Sequence, residues 1–239
     1  MAALGRWSTV VVLTLGMCGV AAADVAEILK AHFRAVGGLD RMSEVQTVRR
    51  SGTAQLHAQF GDLPGTFEEA AVVGKKSYSK TDFGGFTEAT VWDGVEGWKT
   101  ASATGTTALE GMQVEGAKAA AFLDPMQGIY EQDAGVFEQR EDATFEDIEC
   151  SVVGIAGVEV EYYIDKASDL LVGAKLGYVD PTSGPVALVI QYFDHEEYGG
   201  VMFPESRKIV IGDGAMTIEY AYAKTEIDVE LDETVFERP

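Results

Sequence analysis

Between residues 158 and 223 the chain alternates apolar and polar side chains in four runs, VEVEYYID, VGAKLGYVD, VALVIQYFD and AMTIEYAYA, each stopped by a turn such as DKASD, DPTSG or GDG. Strand side chains point to opposite faces with period two, so these runs build a long antiparallel sheet with one greasy, aromatic-rich face. That face must be covered. The chain offers only short helical stretches near residues 25 and 115 to cover it.

The first stretch opens with Asp24 and Glu27 at capping-box spacing, and Val25, Ile28, Leu29, His32, Phe33 and Val36 fall on one helical stripe before Gly37-Gly38 ends it. On such a stripe His32 reads as a hydrogen-bonded packing residue rather than a catalytic one. The second, residues 111–132, interrupts the strand pattern: it is alanine-rich and helix-forming until Asp124-Pro125 stops it. Between the two, Gly61, Gly65, Gly74, Gly84-Gly85 and Gly94 punctuate further strands at turns and bends. The expectation is an α+β chain of about ten strands, a strongly curved antiparallel sheet whose concave face is covered by two or three helices.

The N-terminus carries Arg6, then an uncharged run from Ser8 to Ala23 that ends in three alanines before Asp24. Residues 1–23 therefore read as a secretory signal peptide cleaved after Ala23, leaving residues 24–239 as one domain in the periplasm. Met17 occupies the place in a lipid-attachment box where a small residue is wanted, which argues against lipidation at Cys18. Cys150 would then be the single cysteine left, so no intramolecular disulfide forms, and its strand-like setting marks a buried, inert thiol. With 39 acidic against 18 basic residues and a net charge of −21, the chain repels nucleic acid and anionic surfaces.

Catalytic templates are missing. There is no GxSxG, HExxH, CxxC, GxGxxG or GxxxxGK[ST], and His32, His57 and His195 have no metal-ligand spacing, so neither an enzyme nor a cofactor or metal site is expected. What the chain does have is surplus apolar wall. Tyr162, Leu176, Tyr178, Ile190, Tyr192, Ile218, Tyr220 and Tyr222, with Trp92 and Trp98, are candidate wall residues of a cavity. Met112, Val114, Ala117, Phe122 and Leu123 are candidate residues of its lid. The same side chains could instead fill a solid core. Arg49 and Arg50 read as exposed surface charges.

Taken together, ILKAHFRAVGGLDRMSEVQTVRRSGTA, WDGVEGWK, VEYYIDKASDLLVGAKL, the stretch ending YGGVMFP and the C-terminal LDETVFERP resemble the outer-membrane lipoprotein-sorting family, which is similar to the Lol-type periplasmic lipoprotein carriers. The resemblance implies a half-open β-barrel with a helical lid over a hydrophobic concavity. It also implies carriage of lipid or lipoprotein acyl chains between envelope membranes, with membrane-bound donor and acceptor proteins as partners. Those carriers hold the lid with a basic residue reaching from the barrel wall; here that region reads Lys75-Lys76-Ser77-Tyr78, without an arginine. The alternative reading is a periplasmic sensor or protein-interaction module that uses the concave sheet without moving lipid.

Overall fold

A computed structural model describes residues 24–180, 184–212 and 214–238; the signal-peptide reading, including Cys18, falls outside the described residues. Helices α1 (Val25–Val36) and α2 (Leu39–Glu44) lead into strands β1 (Thr47–Ala58), β2 (Gly61–Val72), β3 (Lys76–Asp82), β4 (Thr87–Trp92), β5 (Gly97–Ala101) and β6 (Gly105–Ala108). Helices α3 (Met112–Ala119) and α4 (Gln127–Asp133) follow. The chain then returns to strands β7 (Phe137–Gln139), β8 (Ala143–Phe145), β9 (Ile148–Ile155), β10 (Val158–Asp165), β11 (Leu171–Asp180), β12 (Gly184–Tyr198), β13 (Val201–Ile211) and β14 (Met216–Ile227).

All fourteen strands join one open, curved antiparallel sheet in the order β6-β5-β4-β3-β2-β1-β14-β13-β12-β11-β10-β9-β7, with β8 on β9. This exceeds the ten strands expected from sequence. The surplus lies mainly in β6, β7 and β8, which are three or four residues long and too short to show a period. Among the described residues there are four α-helices rather than two or three, because Asp124-Pro125 splits residues 111–132 into α3 and α4.

Strand phase follows the sequence pattern. One cross-strand row runs Tyr162, Ala174, Ile190, Ile209, Ile218 across β10 to β14, and a second runs Val160, Leu176, Leu188, Ile211, Met216. Both lie on the concave face, since period-two alternation puts every member of a row on the same side. Helix α1 packs across this face with Ile28, Leu29, His32, Phe33 and Val36 buried, the stripe read from sequence. Its C-cap Gly37 sits at φ +131°, and an added Cβ would lie 2.2 Å from the Gly200 carbonyl oxygen, so only glycine lets α1 end against the β12–β13 turn.

Helix α3 covers the other end of the concave face, where Ala117 packs on Trp92 and Leu109. The outer face has a cover of its own at β8 and β9. There Phe145, Cys150, Val152, Tyr163 and Val172 form a separate cluster, and burial pushes the Cys150 thiol up from its ordinary value.

Candidate functional site: a lidded cavity on the concave face

A cavity of about 410 Å³ lies between the concave face and the helices, walled by β1 to β3 and β10 to β14 and closed by α1 and residues 116–125. Of the candidate wall residues, Tyr162, Leu176, Ile190, Tyr192 and Tyr222 line it, and of the candidate lid residues Phe122 and Leu123 do. The other candidates sit elsewhere. Ile218 and Tyr220 join Ala54, Leu56, Phe67 and Phe83 in a neighbouring aromatic cluster, where Phe67 meets Tyr220 and Tyr222 edge-on. Trp92 lies under α3, with Ala117 buried and Val114 half-buried beside it, while Met112 is 40% exposed.

Trp98 pairs with Val91, and Trp92 with Gly97, so alternation turns the two indoles to opposite faces. Trp98 is met by Arg238 from the C-terminal segment, 6.0 Å from its ring. The backbone of Tyr178 belongs to β11, but its side chain lies outside the described residues.

Three contacts hold the lid. The Ser77 hydroxyl on β3 donates to the Ala117 carbonyl at 2.6 Å, and the Gly74 amide donates to the Ala121 carbonyl at 2.8 Å. The third is a buried histidine–carboxylate contact in the interior. His32, fully buried on α1, sets Nε2 at 3.0 Å from Asp124 Oδ2 and Nδ1 at 2.9 Å from the Asp169 carbonyl in the β10–β11 turn.

A carbonyl only accepts, so Nδ1 carries a proton, and a hydrogen bond from Nε2 to the carboxylate requires a second one. Burial disfavours the charged imidazole, but Asp124 and the Asp169 carbonyl outweigh it and the His32 pKa is raised. Asp124 also accepts the Met126 amide at 2.8 Å, and Phe122 lies so close to Gly128 that a Cβ there would come within 2.3 Å of its ring. One histidine thus ties α1, the lid and the β10–β11 turn together.

Removing the Ser77 hydroxyl leaves the Ala117 carbonyl unpaired in a site only 4% exposed. Ser77→Ala should therefore lower stability by about 1–2 kcal/mol and speed amide exchange in residues 116–121. Unchanged exchange there, read by hydrogen–deuterium mass spectrometry, would contradict the latch.

The cavity also holds charges that sequence reading placed outside. Arg49 is a surface residue paired to Glu226 at 2.8 Å, but Arg50 turns inward, which corrects the reading of both as exposed. Its guanidinium bonds the Pro204 carbonyl and Thr225 Oγ1 and stacks on Tyr222, 3.3 Å from the ring centroid. It reaches β13 and β14 rather than the lid.

Glu69 accepts from Arg207 at 2.7 Å and from the Tyr222 hydroxyl at 3.2 Å. Burial pushes its carboxyl up, but Arg207 and Arg50 pull it below the ordinary value. Desolvation raises the Tyr192 hydroxyl to about 12 and lifts Tyr162 and Tyr222 too, while burial and the charges of His32 and Arg50 lower His195. The missed residues did carry a signal. Arg50 is in phase with Val48 and Ala54, Glu69 with Phe67 and Ala71, and Arg207 with Ile209 and Ile211.

The open antiparallel half-barrel with its covered concavity is a fold shared with solved structures at low sequence identity. The chain is similar to a LolA superfamily protein from Nitrosomonas europaea (TM-score 0.57, 11% identity, covering 91% of this chain and 99% of that one). It is also similar to a DUF1329 family protein from Desulfovibrio piger (0.57, 13%, 90% and 97%). A domain described as an outer membrane lipoprotein-sorting protein from Vibrio parahaemolyticus aligns comparably (0.55, 11%, 89% and 95%). No protein-family model and no curated protein matches the chain.

Proposed function

We propose that this protein is a non-enzymatic periplasmic carrier that holds lipid, or the acyl chains of lipoproteins, in the cavity during transfer between envelope membranes. The observation that carries this reading is the 410 Å³ space beneath a separately latched lid, within the range of about 300–1,000 Å³ typical of ligand sites. Its wall includes Ala174, Leu176, Ile190 and Ile209, side chains that gain from meeting hydrocarbon. Each methylene buried there contributes about 0.8 kcal/mol, and opening the lid subtracts from the total, so the guest can be released. Among the described residues no helix is long and apolar enough to cross a membrane.

Leu176→Asp combined with Ile190→Asp should abolish saturable uptake of a fluorescent fatty acid, because both side chains face the cavity. A double charge change on the outer face should leave uptake intact. Equal loss in both variants would signal unfolding instead. Wild-type protein that takes up no fatty acid but captures a protein partner would favour an interaction module.

A further inference from the structure

The concave face carries positive charge where its alternation calls for hydrocarbon. Arg50 and Arg207 both line the cavity, and register places Arg50 opposite Glu69 and Arg207 opposite Tyr192 and Tyr220. Among the described residues one carboxylate is hydrogen-bonded to them. Glu69 is engaged by Arg207 and Tyr222, whereas among the described residues Arg50 hydrogen-bonds only neutral acceptors and rests on the rings of Tyr222 and Phe203. Arg207 Nε is sealed from solvent and has no partner among the described residues.

The lining holds one further carboxylate, Asp124, and two imidazoles, His32 and His195. Asp124 is held by His32, and Glu205 accepts from the Tyr198 hydroxyl at 3.0 Å. Apart from the His32–Asp124 pair, the cavity lining sets two guanidiniums against one carboxylate, Glu69, while Glu205 keeps its charge outside the lining, in a chain whose net charge is −21. Placing an uncompensated cation in an apolar wall is unfavourable, and a guanidinium presents a planar fork of donors that fits carboxylate and phosphate oxygens. The cavity volume lies near the lower end of the ligand-site range, enough for one hydrocarbon tail and too small for several.

Resting on the carrier reading, we infer that the cavity takes a single-tailed amphiphile with an anionic oxyacid head, the head seated at Arg50 and Arg207 and the tail along Ala174, Leu176 and Ile190. The test uses the secreted, processed chain loaded with a fluorescent polyene fatty acid and displaced in turn by hexadecanoate, hexadecyl phosphate, hexadecanol and inorganic phosphate. At least one of the two anionic amphiphiles should displace the probe about tenfold or more better than the alcohol, as a charge-assisted hydrogen bond requires, and the better of the two identifies the head.

In Arg50→Gln the anion-over-alcohol ratio should fall toward one, and in Arg50→Lys, which keeps the charge, most of it should persist. Circular dichroism of each variant checks folding, and the wild-type ratio decides the matter even if Arg50→Gln does not fold. Equal displacement by anion and alcohol would overturn the head site while leaving the apolar carrier standing. Displacement by inorganic phosphate alone would overturn it in favour of a free-anion site, and failure of the polyene fatty acid to bind would overturn the carrier reading itself.

Discussion

Asp124→Asn should be close to wild type in stability at about pH 9 and weaker by about 2–3 kcal/mol at about pH 5, measured by urea unfolding. The asparagine oxygen can still accept the Met126 amide, and its NH₂ can donate to Nε2 of a neutral imidazole. It cannot stabilise the imidazolium. The sign follows from the raised folded pKa of His32: its contribution is fully present below the unfolded value of 6.5 and is lost as pH rises through the folded value. Wild type therefore gives up in alkali what the variant never had. Asp124→Ala should instead be deficient at both pH values, by about 1–3 kcal/mol in alkali, where it orphans the Met126 amide. A deficit for Asp124→Asn that does not change with pH would show that the pair binds no extra proton on folding.

The second large effect is expected at Glu69. Glu69→Ala leaves Arg50 and Arg207 facing each other's charge without the carboxylate that separates them, and it removes the acceptor of the Tyr222 hydroxyl. Breaking a buried pair by deleting one partner costs about 3–5 kcal/mol, and because the Glu69 side chain keeps 23% of its exposure the low end applies, about 3 kcal/mol. Glu69→Gln, which keeps an acceptor for Tyr222, should recover part of that. The wild-type contribution is present above the ordinary carboxylate value of 4.5 and fades as pH falls through the lowered folded value. Acid unfolding curves of wild type and Glu69→Gln should therefore converge at low pH. Curves that stay parallel would contradict the ion pair.

What could be read from the sequence, and what could not, divides along physical lines. In the C-terminal meander, alternation and well-marked turns fix which face each side chain takes, so Tyr162, Leu176, Ile190 and Tyr192 were legible as wall residues. The α1 stripe was legible for the same reason at helical period, with His32 in it. Trp92 and Trp98 were not, because their four-residue connection sets a register in which the two indoles face opposite ways, and side-chain size alone does not report phase. The inward charges at Arg50, Glu69 and Arg207 were hidden by the expectation that a charge on a strand faces water. Their partners lie on other strands, 138 residues apart in the chain for Glu69 and Arg207. Asp124 looked like a helix stop; its role as partner of His32 needs a contact between residues 92 apart.

The central claim is that a guest chain lies between the lid and the inner wall, and photo-crosslinking with a diazirine-bearing fatty acid tests it most directly. After irradiation and peptide mapping, label should concentrate in residues 120–126 and on the strand segments holding Ala174, Leu176 and Ile190, and excess unlabelled fatty acid should compete it away. Label confined to the outer face around Tyr163 and Val189, or no label that competes, would contradict the account.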